Sequence, residues 1–390
     1  MKKIGILTFH KSINNGAFLQ CFSLQSIIKN MGYDVEIIDF DNERMNKMYF
    51  NLYNSRLFDA HTLKEFCSKI IYRKKDKENR LLYSKFKDSW NLLPLSKKNF
   101  IFNGLSTDLT DFINENYDLL VIGSDAVFNW IKRGFPNPYV SIEGIKIPVI
   151  SYAASSFGMD KENLSIEELC LFSKTLNQMG KISVRDSYTK SFVNEISNKN
   201  VAEVYDPTFF LKLDEIKNIL REKTNVDIKF PKNKIIIGLV GEIDKSIIKK
   251  LHKNKQIYLV STTFYNKGAD RYICSLSPFE WALIFKYFDL TITNLFHGTL
   301  LSLKNLVPCV SIDVSSFSSR YEGKIFDSLK KLDLLELYCN DIDDLDNFVK
   351  IVMSTIEKRD LIVSKIKKSF NCDQLKSLDW LSDALKENLK

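Results

Sequence analysis

The sequence predicts an α/β protein of two Rossmann-like domains facing a cleft, with a helical insertion in the first and a helical segment trailing the second. Three observations carry this. Short runs rich in Ile, Leu and Val alternate with amphipathic stretches in both halves of the chain, the rhythm of parallel sheets covered by helices. A chain of 390 residues is longer than one ordinary hydrophobic core accommodates. The rhythm breaks at Asp206-Pro207 and resumes beyond a polar stretch at 224–233. The domains are accordingly read at 1–208 and 209–390.

Taken in order, Lys3 to Phe9 is an apolar run suited to a central strand. After the loop His10 to Gly16, the residues Ala17, Cys21, Leu24, Ile28 and Met31 recur at spacings of four and three, one apolar helical stripe closed by Gly32. Tyr33 to Asp39 is the next strand, and the βαβ unit so formed is parallel and right-handed. Its loop lacks G-x-G-x-x-G, so no dinucleotide fingerprint is present. Residues 41–116 are aromatic, basic and helical in pattern, and read as the helical insertion. Tyr117 to Ser124 restores the sheet. Strands follow at Lys146–Ala154, Lys181–Arg185 and Ala202–Tyr205, with helices from Ser165 and Ser187 between them. In the second half Lys234–Val240, Gln256–Ser261, Leu290–Thr293 and Pro308–Ile312 are strands. Beyond Asn340 the pattern is helical, in three stretches, and in such a layout the last helix can cross back to the first domain.

Composition narrows the classes. No apolar run approaches the roughly 20 residues that cross a bilayer. The opening Met1 to His10 reads as a first strand rather than a leader, because His10-Lys11 ends the run and no small-residue cleavage site follows. The seven cysteines are scattered, odd in number and never spaced C-x-x-C, which suggests buried thiols in a reducing, cytoplasmic compartment and no metal. The net charge of +8 is modest, but between Arg73 and Asp88 seven Lys and Arg face three acidic residues. A solvated helix face explains that run, as does contact with an anionic membrane surface or an anionic acceptor. Nucleic acid is disfavoured, since no recognisable binding module accompanies the charge.

The stretch from Thr291 to Ser302 carries the most chemistry. An apolar strand passes His297 and Gly298 and continues as a helix read from Thr299 to Leu306. Such a handover puts His297, one of four histidines, at the carboxyl edge of a parallel sheet, where the N–H groups of the new helix face the same space. Two further loops occupy comparable edges. Gly123-Ser-Asp125 closes a buried strand, and Asn14-Asn15-Gly16 opens the first helix. An Asn-Asn-Gly start either cradles an anion through backbone N–H groups or is capped by an asparagine side chain.

Several motifs together resemble the polysaccharide pyruvyl transferase family. They are Ile4-Gly-Ile-Leu-Thr-Phe-His, Asn15-Gly-Ala-Phe-Leu-Gln20 with Leu24-Gln25, Val121-Ile-Gly-Ser-Asp-Ala-Val-Phe-Asn129, Ser151-Tyr-Ala-Ala-Ser155, Ile182-Ser-Val-Arg-Asp186, Asp206-Pro-Thr208 and Phe296-His-Gly-Thr299, with Lys324-Ile325 beyond. Each is weak alone; their shared order is specific. The resemblance implies a fold like that of two-domain glycosyltransferases of the B type. It also implies transfer of a pyruvyl group from phosphoenolpyruvate to two hydroxyls of a sugar, on a cell-surface glycan or its lipid-linked precursor, without a metal or other cofactor. Two departures are visible. Well-studied members carry Arg-Leu-His and a Gly-Gly-Gly loop where this chain has Leu295-Phe-His297 and Gly123-Ser-Asp125.

That chemistry needs cations for the donor's phosphate and carboxylate, one acid and one base. His297 is the candidate acid or phosphate donor, because an imidazole can give and retake a proton near neutral pH; a loop-locking hydrogen bond is its plainer role. Arg185 matches a donor-contacting arginine of the family and can clamp an anion bidentately, or else pair with Asp186 or Asp206. Asp125 is a candidate base or acceptor grip, or a helix cap, with Ser124 and Asn129 in the same loop. Asn15 and Gly16 are candidate donor contacts. Arg320 and Lys324 are positioned to replace the cation missing at Leu295. Asp206-Pro207 reads as a hinge. Two other classes fit the fold: a glycosyltransferase using a nucleotide-sugar, and a non-catalytic glycan-binding or assembly protein that has lost the donor site.

Overall fold

The computed structural model describes the chain except for residues 42–62, 102–106, 132–133, 157, 160–161, 163, 222–227, 313–322, 341, 343, 371–372 and 390. The strand β1 (Lys3–Leu7) forms where the first apolar run was read, with Ile4, Ile6 and Leu7 fully buried, as a central parallel strand covered on both faces requires. Around it stand β2 (Asp34–Asp41), β3 (Leu95–Ile101), β4 (Leu119–Asp125), β5 (Val149–Ala154), β6 (Lys181–Val184) and β7 (Val201–Glu203). All pairs are parallel, in the order β3-β2-β1-β4-β5-β6-β7, so the direction of travel reverses between β1 and β4. The core includes Ile122, Phe128, Trp130, Phe172 and Leu176. Each large side chain taken fully out of water contributes about 1.5–3 kcal/mol.

The second unit repeats the plan with β8 (Ile235–Val240), β9 (Ile257–Thr262), β10 (Arg271–Ile273), β11 (Leu290–Thr293), β12 (Cys309–Ile312) and β13 (Tyr338–Cys339). Their order is β10-β9-β8-β11-β12-β13, again parallel throughout, with its reversal between β8 and β11. Leu239, Leu259, Ile292, Val310 and Phe348 lie in its own core.

The chain divides into Met1–Leu211 with Gln374–Lys390, and Lys212–Asp373. The last helix, Asp373–Asn388, is therefore part of the first unit. The Tyr205 N–H donates to Ser377 Oγ at 3.0 Å, Trp380 lies against Tyr152, and Lys181 pairs with Glu387 at 2.8 Å.

Three differences from the sequence expectation have physical causes. Within 41–116, read as a mostly helical insertion, Leu95–Ile101 is a strand at the edge of the first sheet. It exposes Lys97, Lys98 and Asn99 in succession, so the apolar alternation that signals a strand is missing, as is common where charge protects a sheet edge. Ser96 joins it to β2 across a register shift by accepting from the Asp39 N–H at 2.9 Å. The strands β10 and β13 are three and two residues long, too short to leave a pattern. Finally, the helix expected from Thr299 starts at Phe296. In the Leu63–Trp90 helix, Lys77, Arg80 and Lys87 are exposed while Phe86 and Trp90 are buried, and no described helix is long and apolar enough to cross a membrane.

Candidate active site

The carboxyl edge of the first sheet gathers charged groups from three strand ends, β4, β6 and β7. Arg185, just past β6, donates through Nη1 to Asp206 at 2.9 Å and through Nη2 to Asp125 at 3.2 Å. Its side chain is 3 % exposed, that of Asp206 is sealed, and Asp125 at 17 % is the member that reaches solvent. Burial by itself would lower the guanidinium's pKa, but Asp125, Asp206 and Asp186 outweigh that and hold it raised. Each carboxylate is further fixed. Asp206 accepts from the Thr208 N–H at 3.0 Å, and Asp186 caps the Ser187–Ile196 helix while accepting from Ser155 Oγ at 2.6 Å. Asp125 takes the Ala126 N–H at 2.8 Å with φ of 77°, a left-handed conformation that aspartate tolerates better than most residues. Before it, Gly123 lies so close to β5 that an added Cβ would stand 2.2 Å from the Tyr152 carbonyl oxygen.

Arg185 thus takes the ion-pair role, bound to Asp206 as the sequence allowed and also to Asp125, 60 residues away. It is enclosed by carboxylates rather than open to a metabolite, and its effect is to orient Asp125. Ser124 is fully buried. Its hydroxyl bonds Gln20 Oε1, Gln20 Nε2 donates to Thr8 Oγ1 at 3.0 Å, and Thr8 Oγ1 donates to the Ser124 carbonyl at 3.1 Å. That triangle ties β1, β4 and the Asn15–Asn30 helix together, which leaves no hydroxyl for an acceptor. Asn129 is half-buried in the same loop and accepts from the Ile131 N–H at 3.3 Å.

At the start of the Asn15–Asn30 helix, Asn14 Oδ1 accepts from the N–H groups of Gly16 at 2.9 Å and Ala17 at 3.2 Å. The amide of Gly16, expected as a donor contact, is therefore occupied by a cap. Asn15 is nearly buried beside it, and its Oδ1 has no hydrogen-bond partner among the described residues. One loop away, His10 is sealed, with Nε2 3.0 Å from Asp39 Oδ1 and Nδ1 3.3 Å from the Thr8 carbonyl oxygen, and Lys11 Nζ lies 2.7 Å from the same Asp39 oxygen. Burial alone would raise the Asp39 carboxyl, but the hydrogen bonds from His10 and Lys11 outweigh it and hold the group at about 2.

The second unit is finished differently. The Phe296–Lys304 helix follows β11 after two residues, and Leu295 at its start offers no side-chain cap. His297 is the second residue of the helix, half-buried, its ring edge-on to Phe296 at 4.9 Å. Gly298 lets this turn press onto the strand, since a Cβ there would stand 2.3 Å from Thr293 Oγ1. The first turn of a helix carries N–H groups without helical acceptors and the positive end of its dipole, so it attracts anions. Lys324, the first residue of the Lys324–Lys331 helix, places its Nζ 6.0 Å from the centre of the Phe296 ring. Arg320 lies outside the described residues. Among the described residues no three His, Cys, Asp or Glu side chains cluster as metal ligands.

Sequence reasoning missed Gln20 and Asp186. Gln20 left a signal, a polar residue three positions after Ala17 on the apolar stripe of its helix. Asp186 was read only as a partner for Arg185; its capping of the next helix follows from its place just before Ser187.

Two parallel sheets of reversed order, covered by helices, define a protein of the glycosyltransferase-B architecture, and solved structures agree. The UDP-GlcNAc 2-epimerase of Neisseria meningitidis bound to UDP-GlcNAc matches with a TM-score of 0.56 at 10 % identity, over 99 % of this chain and 100 % of that one. A putative UDP-N-acetylglucosamine 2-epimerase of Listeria monocytogenes gives 0.55 at 10 %, over 99 % and 96 %. TarM gives 0.54 at 9 %, over 100 % and 99 %. At such identities the likeness concerns the fold. No curated protein matches the chain in sequence. The sequence profile of the polysaccharide pyruvyl transferase family matches residues 14–316. The chain belongs to that family and is a transferase.

Proposed function

We propose that the protein transfers a pyruvyl group from phosphoenolpyruvate to two hydroxyls of one sugar in a cell-surface polysaccharide or its lipid-linked precursor. The observation that carries this reading is the start of the Phe296–Lys304 helix, which offers backbone donors, an imidazole and a neighbouring ammonium group to a small, multiply charged anion.

The steps follow from the donor's chemistry. A proton delivered to the methylene carbon turns it into a methyl group and leaves an oxocarbenium-like centre at the adjacent carbon. One sugar hydroxyl attacks that centre and loses its proton. Phosphate then departs with the electrons of its C–O bond, and the second hydroxyl closes the cyclic ketal, releasing the other proton. His297 takes the part of the acid, with the helix start and Lys324 holding phosphate and carboxylate. Asp125, the solvent-reaching member of the Arg185 cluster, is the carboxylate of the first unit whose exposure suits a base.

The test is incubation of purified protein with labelled phosphoenolpyruvate and a panel of sugar-lipids. Release of phosphate with label retained on the glycan is the expected result. Turnover of a nucleotide-sugar in its place, or sugar binding without turnover of either donor, would overturn the reading.

A further inference from the structure

The reversal of the second sheet between β8 and β11 sends the loops that follow them apart, and at that point open α/β sheets hold ligands. A cavity of about 500 Å³ opens there, within the size range of small-molecule sites. Glu242, Asp244 and Lys245 line it from the loop after β8, Tyr265 and Lys267 from the loop after β9, and Asn294 from the residue after β11. Its apolar floor includes the buried Ile247 and Ile312.

Three features of this wall point to a ligand. Tyr265 is 66 % exposed, yet its ring is stacked on Tyr272 at 4.2 Å and 15°, which fixes an aromatic face at the rim. Glu242, Lys245 and Lys267 make no hydrogen bond or ion pair through their side chains with any described residue, while Asp244 is engaged in capping Ser246. Asn294 donates to the Glu242 carbonyl oxygen at 2.8 Å, which ties the residue after β11 to the loop after β8 and fixes the wall between them.

We infer that this cavity binds a neutral sugar unit of the acceptor glycan. The inference rests on the protein's acting on a glycan and adds where that glycan is held. Two carboxylates stand against two ammonium groups, so the wall has no surplus of positive charge with which to select an anion. A mixed set of donors and acceptors suits hydroxyl groups, each of which both donates and accepts. The fixed ring and apolar floor suit the C–H faces of a pyranose. Asn294 is three residues before His297 in the chain, so an occupant of this cavity lies beside the turn that carries the proposed acid.

The experiment is saturation-transfer NMR on the full chain with no phosphoenolpyruvate present. The probes are the methyl glycosides of galactose, glucose, mannose and N-acetylglucosamine, with UDP as an anionic comparison. At least one glycoside is expected to bind, with a tenfold or greater loss of affinity in both Tyr265→Ala and Glu242→Gln. No binding by any glycoside, binding by UDP alone, or glycoside binding untouched in both variants would each overturn the inference. Because the donor is absent, the two readings fail separately. Glycoside binding of the expected kind without pyruvyl transfer overturns the donor assignment alone, and transfer without glycoside binding here overturns the cavity's role alone.

Discussion

At the carboxyl edge of the first sheet Arg185 lies between Asp125 and Asp206, His10 and Lys11 hold Asp39, and Gln20 ties Ser124 to Thr8. At the corresponding edge of the second, the helix carrying His297 starts without a side-chain cap, and the side chains of Glu242, Lys245 and Lys267 have no hydrogen-bond or ion-pair partner among the described residues. Among the described residues, the same sheet plan is completed in one unit by internal pairing, while the other shows an uncapped helix start and charged side chains without described partners. Buried polar networks rigidify what they contain, whereas open donors lose less on binding because no internal bond must first break. The first edge thus holds a fixed carboxylate, and the second a helix start without a side-chain cap.

The largest expected effect tests the sealed side. Arg185→Ala leaves the buried Asp206 and the half-buried Asp125 without their counter-charge, and removal of one partner from a buried pair costs about 3–5 kcal/mol. A fall of that size in urea denaturation is expected, whatever happens to activity. A variant as stable as the parent, with a raised KM for phosphoenolpyruvate alone, would make the guanidinium a donor clamp and break the comparison. His297→Ala tests the open side. Turnover is expected to fall about 10²-fold or more, the scale of a lost acid, with the denaturation midpoint unmoved. Loss of stability with turnover retained would make the imidazole a structural group.

What could be read beforehand divides along similar lines. The central strands declared themselves because parallel strands buried on both faces are continuous apolar runs, and β11 was read to its residue limits. The edge strand β3 did not, since Lys97, Lys98 and Asn99 belong to its exposed rim. His297 was legible from a strand passing into a helix through His-Gly. The start of that helix was placed three residues late, because Leu295 offers no capping side chain to mark it and the contact of Gly298 with Thr293 is a tertiary fact. Arg185 was legible as a charged group at a strand end, but its bond to Asp125 spans 60 residues and leaves no local mark. The cavity around Tyr265 and Glu242 gave no motif, since its wall is assembled from three loops.

A smaller effect concerns the acid side of the first edge. The Asp39 carboxyl sits at about 2 in the folded protein, below the value near 3.9 of an unfolded chain. A depressed carboxylate contributes stability that is complete above the unfolded value and is lost as pH falls through the folded one. The contribution is of order 2 kcal/mol, and it disappears between about pH 4 and pH 2. Asp39→Asn is therefore expected to destabilise the protein at pH 7 and to differ little from the parent near pH 2. A constant difference across that range would mean that packing, not charge, is what the substitution removes.

The smallest effect sharpens the open side. Lys324 meets the His297 turn as a point charge near the Phe296 ring, not as a bidentate clamp, so its loss should weaken an anion's hold without disturbing the reaction. Lys324→Ala is expected to raise the KM for phosphoenolpyruvate about tenfold, equivalent to about 1.4 kcal/mol, with kcat little changed. Because screening weakens a charge that is only half-buried, the ratio between parent and variant should shrink as salt is raised from about 0.01 M to about 1 M. A fall in kcat at constant KM would move the lysine from holding the donor to acting in the chemistry. No change in either constant would mean that the donor's charge is met elsewhere, and the uncapped helix start would lose its assigned ligand.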